Sequence, residues 1–353
     1  MLRRLFSNCM LSPNDIAPSH PAMRVIGTFN PGVVREQVTG DVILLVRVVE
    51  EVIEKRVGYQ PSPYISHDEV YVDWLPESDI DFSDPRIYRM MSTGLIRLRF
   101  ISHLRAFRSR DGQTIDVPLG KIMPEMPHEI YGLEDPRITH INDAYYITYV
   151  AVSPHGAATA LLRTEDFLAY ERLGIIFAPD NKDVVLFPES IGGKYYAMHR
   201  PMPSLGLTRP EIWLAESSDL IHWGNHQQLL ASKDSIHRDR IGGGTPPVKT
   251  RNGWLTIYHG SNKKHGEQSV GVYTAGAIML DLNDPSRIVG QTNAPIMEPV
   301  EPYETSGFVD NVVFPTAIVP DDDRELVYYG AADEHTAVTA FKQEDLLNAI
   351  KPA

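Results

Sequence analysis

The chain of 353 residues carries 46 acidic against 33 basic side chains, a formal net charge of -13, with 42% hydrophobic residues. It has no run of lysine and arginine long enough to track a phosphodiester backbone, so no nucleic acid is expected as a partner. Cys9 is the single cysteine, which excludes an intrachain disulfide framework and a cysteine-rich metal site.

The N-terminal MLRRLFSNCMLSPND has two arginines, but Ser7 and Asn8 break its short apolar stretch, and it lacks a signal-peptide core. No window reaches the ~20 apolar residues of a membrane span. No membrane association and a cytoplasmic location are the expectations. Strand-length runs then recur along the chain: VILLVRVV from Val42, LIRLRFI (95–101), AYYITYVAV (144–152), KYYAMHR (194–200), EIWLAES (211–217), WLTIYHG (254–260), VYTAGAIML (272–280) and ELVYYGAA (325–332). Each is rich in β-branched or aromatic residues and bounded by Gly, Pro, Asn or Asp. Residues 51–92 interrupt this rhythm with an acidic, proline-containing stretch. It reads as an irregular excursion that caps a site or makes a subunit contact, and a homo-oligomer through it is one expectation. Only the terminal KQEDLLNAIK keeps a helical period, with Leu346, Leu347 and Ile350 on one face, so 342–353 is expected to form a C-terminal helix and tail.

A looser repeat runs through LRTEDFLAYERLG, AESSDLIHWGNHQQLL and LDLNDPSRIVGQ, with FRSRDGQTIDVPL as a weaker copy. The spacing of roughly 50 to 60 residues suits propeller blades better than sandwich strands. The expected fold class is all-β: a five-bladed β-propeller spanning 1–353 as one catalytic domain, with a short C-terminal helix. A pair of β-sandwiches is the alternative.

In a propeller the inner strands converge on a central funnel, so polar residues at distant strand ends become candidates together. GLEDPR offers Glu134, Asp135 and Arg137; NKDVVLFPE offers Lys182, Asp183 and Glu189; YYAMHRP offers His199 and Arg200. RDRIGGGTPPVKT places Arg240 before three glycines, and YHG and YYGAAD end strands with His259 and Asp333. Plainer readings stand beside these. Asp135 before Pro136 can simply start a turn, Lys182 can be a solvated loop residue, and His259 a packed strand-end histidine. The glycines have no following helix or GK[ST], so they speak for close backbone approach rather than a phosphate loop. No HExxH or GxSxG occurs, and the 13 histidines are scattered, so neither a metal nor a serine nucleophile is expected. Carboxylates, cations and aromatics together suit carbohydrate chemistry.

FNPGVV, ISHLRAFRSRDG, GLEDPRIT, YITYVAVS, NKDVVLFPE, YYAMHRP, EIWLAESSDLIHWG, RIGGGTPPVKT, GWLTIYHG and YYGAAD run in order from about residue 24 to residue 340. In that order they resemble glycoside hydrolase family 130, inverting phosphorylases and hydrolases of β-mannosides. The resemblance implies a five-bladed propeller with a central active site. It implies Asp135 as general acid, its proton passing through a sugar hydroxyl, and Asp333 as the carboxylate that grips the terminal mannose. It maps the phosphate site onto Lys182, Arg200 and Arg240, with His259 and the tyrosines Tyr258 and Tyr273 as contributors of hydrogen bonds. Asn30, Arg47, Ser102, Arg105, Glu134, Asp183, Glu189 and Tyr273 are the further substrate-binding candidates.

An inverting hydrolase needs a second carboxylate to activate water, with the two carboxyls about 6.5–9.5 Å apart, whereas phosphate needs only cations to gather and aim it. The basic trio favours phosphorolysis with no cofactor beyond inorganic phosphate as co-substrate. The wording lies nearest to members acting on β-1,2-linked mannosides, with α-mannose 1-phosphate as product. Glu189 and Glu211 would be the bases of a hydrolase, and a non-catalytic glycan-binding propeller is the alternative of another class. Trp74, Trp213, Trp223 and Trp254 are candidates for acceptor subsites, though the last three fit a core equally well.

Overall fold

The computed structural model describes residues 1–352 apart from 67–68, 85, 234–235 and 264–269. Strands dominate. The helices among the described residues are short, Pro302–Thr305 and Gln343–Ala349 plus three single 3-10 turns. The C-terminal helix stands where its apolar face placed it, with Leu346 buried against the strand core.

Hydrogen-bonded neighbours in the main sheets are mostly consecutive in sequence, so the chain runs as successive antiparallel meanders. The first comprises Met23–Arg35, Val42–Val52, Ile101–Ser109 and Val117–Ile122. It joins the second, from Gly132–Ile141 to Glu171–Phe177, only through a parallel pair at Gly132 and Ser102. A third runs from Asn181–Leu186 to Trp223–Leu230, and a fourth from Arg240–Gly243 to Ile288–Thr292. The last takes Val313–Asp321, Arg324–Ala331 and His335–Lys342 from the C-terminal end and Phe6–Leu11 from the N-terminal end.

The apolar cores lie between meanders. Ile43, Leu45 and Leu104 of the first pack with Leu133, Ile138 and Ile147 of the second. Ile141 and Leu161 meet Val184 and Leu186, and Val185 and Met198 meet Ile241 and Trp254. Ile257 and Ala277 meet Val313 and Val327. The succession then returns to its start, where Val319, Leu326 and Val338 pack on Val42, Leu44 and Val46. Strands covered on both faces need not alternate apolar with polar. Accordingly Gly253–Ser261 and Tyr273–Leu280 are buried at every position.

Two expectations are corrected here. The 51–92 stretch is not irregular. It folds as a hairpin of Tyr59–Ser66 with Glu69–Pro76, followed by a three-stranded sheet of Ile80–Asp81, Ile87–Met90 and Ile96–Leu98. The small sheets bury little, and in Glu69–Pro76 the inward positions are only half-buried. LIRLRFI is also not one strand. It breaks after Leu98, and a new strand starts at Ile101.

Candidate active site

Three first strands of meanders break their ladders beside one cavity. Register shifts fall between Phe29 and Gly32, between Glu134 and Arg137, and between Lys182 and Val185. At each break a non-glycine residue takes a left-handed backbone: Asn30 at φ 50°, Asp135 at 48° and Asp183 at 56°. Asp333, just past the Arg324–Ala331 strand, has φ 50°. Asn and Asp tolerate this region better than other side chains because their short polar groups bond locally. Bulges at such positions re-aim a side chain that regular pleating would direct elsewhere. All four residues line one cavity of about 420 Å³, within the size range of small-molecule sites.

Around Asp135 the bonds are dense. Asn30 Nδ2 donates to Asp135 Oδ1 at 2.8 Å, and Arg47 Nη1 donates to the same oxygen at 3.0 Å. Arg47 Nη2 donates to Glu134 Oε1 at 2.7 Å and its Nε to Ser102 Oγ at 3.2 Å. The wholly buried Arg137 donates Nη1 to the Asp135 carbonyl at 2.9 Å and Nε to the Gly244 carbonyl at 2.6 Å, pinning the bulge from behind. Burial pushes the Asp135 carboxyl up, but Arg47, Arg137, the Asn30 amide and Lys182 together bring it below the usual range, so it is an anion in the ligand-free pocket. Asp333 behaves oppositely. Burial, with repulsion from Asp135 and Glu134, outweighs Arg47 and Arg86 and lifts it to about 6.

The cations form the rest of the wall. Lys182 Nζ is 3.6 Å from Glu134 Oε2. Arg200 Nε lies 3.1 Å from Asp183 Oδ2, at ion-pair distance without hydrogen-bond alignment. Arg240 Nε donates to Asp239 at 2.6 Å. Burial would raise Asp183, yet Arg200, His259 and Arg137 hold it well below the carboxylate range. Arg200, Arg240 and Arg86 all act on the Tyr273 hydroxyl, which burial nevertheless keeps above its ordinary value. Phe29, Phe100, Phe308 and Phe314 supply aromatic surface to the same cavity.

The cavity therefore unites Asn30, Arg47, Glu134, Asp135, Lys182, Asp183, Arg200, Arg240, Tyr273 and Asp333 from the sequence candidates. Others stand elsewhere. Ser102 lies behind Arg47 rather than at the surface of the cavity. Arg105 is three residues further along the same strand and so faces the other side of the sheet. There it bonds His103 and the Ala17 carbonyl. Glu189 lies beyond the bulge, exposed and paired with Lys249 at 2.6 Å. His259 sits on the next strand in, opposite Gly242, fully buried with Nε2 3.2 Å from Asp183 Oδ2. It backs the carboxylate instead of lining the cavity, and burial keeps its pKa low against the pull of Asp183. Glu211 is bound by Thr208, Gln228 and Ser232 away from the cavity, and no tryptophan lines it. Trp254 is core, and Trp74 carries Arg56 over its ring.

Sequence reasoning missed Asp84 and Arg86, which reach the cavity from the 51–92 segment. A signal existed: the tetrapeptide DPRI occurs twice, at 84–87 and at 135–138.

The chain also matches known proteins over most of its length. Residues 108–352 match the glycoside hydrolase family 130 model, described as beta-1,4-mannooligosaccharide phosphorylase. The beta-1,2-mannobiose phosphorylase of Listeria innocua is 37% identical over 357 residues, covering 99% of this chain and 98% of that protein. The 1,2-beta-oligomannan phosphorylase of a Thermoanaerobacter species is 35% identical over 255 residues, covering 70% of this chain and 81% of its own. The solved structure of the Listeria innocua protein in complex with beta-1,2-mannobiose superposes with a TM-score of 0.89, covering 96% of each chain.

Proposed function

The chain belongs to glycoside hydrolase family 130, and from that premise we propose that it is an inverting phosphorylase of β-1,2-linked mannosides. Inorganic phosphate attacks the anomeric carbon, giving α-mannose 1-phosphate and a shortened acceptor. The carrying observation is that Lys182, Arg200 and Arg240 meet in the cavity that holds Asp135, while Glu189 and Glu211 stand outside it. Cations and a donor phenol suit a dianion, which brings its own nucleophilic oxygen and needs no strong base. The near-full-length relative with a beta-1,2-mannobiose phosphorylase name favours the β-1,2 linkage.

Proton bookkeeping fits the electrostatics. The reaction moves one proton from hydrogen phosphate to the departing acceptor oxygen. Asp135 is an anion in the free pocket because Arg47, Arg137 and Lys182 favour its charged form. A phosphate placed on Lys182 offsets part of that field, so its arrival raises the Asp135 pKa and readies the residue to carry a proton. Asp135 then works as the general acid, reaching the leaving oxygen through a sugar hydroxyl. Arg47 and Asn30 hold its carboxylate in place. Asp333, at φ 50° and lifted to about 6, is suited to grip hydroxyls of the terminal mannose.

The same reading extends to the scaffold: one five-bladed propeller through 1–353. Its support is the closed succession of cores, together with the pairing of Phe6–Leu11 to His335–Lys342. The test is product analysis with β-1,2- and β-1,4-mannobiose, with and without phosphate. α-Mannose 1-phosphate formed from the β-1,2 disaccharide only with phosphate is expected. Free mannose at equal rates in both buffers would make the enzyme a hydrolase.

A further inference from the structure

We infer that Arg86, carried by the small three-stranded sheet of the 51–98 segment, is a fourth cation of the phosphate site. The inference rests on the phosphorylase reading. Arg86 stands on the turn that leads into Ile87–Met90, far in sequence from the other cations, yet lines the same cavity as Arg200 and Arg240.

Three observations carry it. First, Arg86 is anchored by the device that anchors the other two arginines. An aspartate lies on the Nε side: Asp84 accepts from Arg86 Nε at 3.0 Å and from Nη2 at 2.7 Å, Asp239 accepts from Arg240 Nε at 2.6 Å, and Asp183 stands at ion-pair distance from Arg200 Nε. The Arg86 backbone N–H also donates to Asp84 Oδ1, at 3.0 Å, so the ion pair is closed locally. A guanidinium held this way is pre-organised, and less freedom is lost when its remaining donors bind. Second, Nη1 of Arg86 has no hydrogen-bond partner among the described residues. Third, Arg86 shares a neighbour with the phosphate cations. The Tyr273 hydroxyl feels Arg240, Arg200 and Arg86 together, and Arg86 and Arg240 repel one another. Guanidinia brought into mutual repulsion around one phenol gain by receiving an anion between them. The small sheet therefore supplies ligand chemistry as well as a wall.

The experiment compares Arg86→Ala and Arg86→Lys with the wild type in steady-state kinetics in both directions. It also measures the rise in melting temperature given by inorganic phosphate alone. The expected result for Arg86→Ala is a KM for phosphate raised at least tenfold, with the acceptor KM in the synthetic direction within twofold. The phosphate-induced stabilisation should shrink accordingly. Arg86→Lys, which keeps charge but loses the fork, should fall between. A phosphate KM changed less than threefold in both variants, or an acceptor KM that rises in place of it, overturns the assignment. A wild type that turns over without phosphate overturns the phosphorylase reading instead, so the two failures are distinguishable.

Discussion

Around Asp135 one guanidinium, Arg47, is shared by two carboxylates, with Lys182 3.6 Å from Glu134, whereas on the proposed phosphate side each arginine has an aspartate of its own. At the acid corner Arg47, Arg137 and Lys182 hold Asp135 low, while burial, with repulsion from Asp135 and Glu134, lifts the Asp333 carboxyl to about 6. The phosphate corner is balanced pair by pair, and its arginines keep donors for a ligand. One arrangement tunes proton affinity, and the other positions donors without leaving isolated buried charge.

Removing Arg47 should break the contrast most. Arg47→Ala leaves Glu134 with Lys182 alone at 3.6 Å and takes from Asp135 its paired guanidinium, and loss of one partner from a buried pair costs about 3–5 kcal/mol. Urea unfolding should show that loss near neutral pH, with much of it recovered in acid as the carboxylates protonate. A cost below about 1 kcal/mol would mean that water takes over the role of Arg47.

The raised Asp333 sharpens the comparison through pH. Its folded pKa of about 6 exceeds the ordinary value of 3.8. Its contribution to stability is therefore complete below about pH 4 and is lost as pH rises through 6, a change of about 2–3 kcal/mol. Asp333→Asn should flatten that part of the wild-type stability profile between pH 4 and 7. Parallel profiles for the two proteins would show that Asp333 ionises without cost.

The smallest effect is expected from Gly242→Ala. A Cβ there would lie 2.1 Å from Asp183 Oδ2 and 2.7 Å from His259 Nε2, so the carboxylate holding Arg200 must shift. Overpacking of this kind costs about 1–3 kcal/mol. The phosphate KM should rise while kcat stays within a few-fold, because the acid corner is untouched. A kcat loss equal to the KM effect would show that the two corners are mechanically coupled.

Much of this site was legible before the structure. GLEDPR, NKDVVLFPE and YYAMHRP marked Asp135, Lys182 and Arg200 because charged residues crowd strand ends where packing alone has no use for them. What misled was proximity in sequence. Glu189 shares a motif with the lining residues Lys182 and Asp183 but sits past a bulge, Arg105 faces the opposite side of its sheet, and His259 lies one strand behind Gly242. Trp254, offered as sugar platform or core, is core.

By itself the sequence determined most of the strands outside 51–98, the terminal helix and the chemical character of the pocket. These follow from side-chain period, turn residues and local hydrogen bonding, which act over a few residues. Tertiary structure alone decided which of those residues meet. Arg86 and Tyr273, 187 positions apart, line one cavity, and Arg47 meets Asp135 because two meanders pack edge to edge at Gly132 and Ser102. Such meetings depend on the burial of whole sheet faces against one another, and no local pattern encodes where that packing brings two distant side chains together.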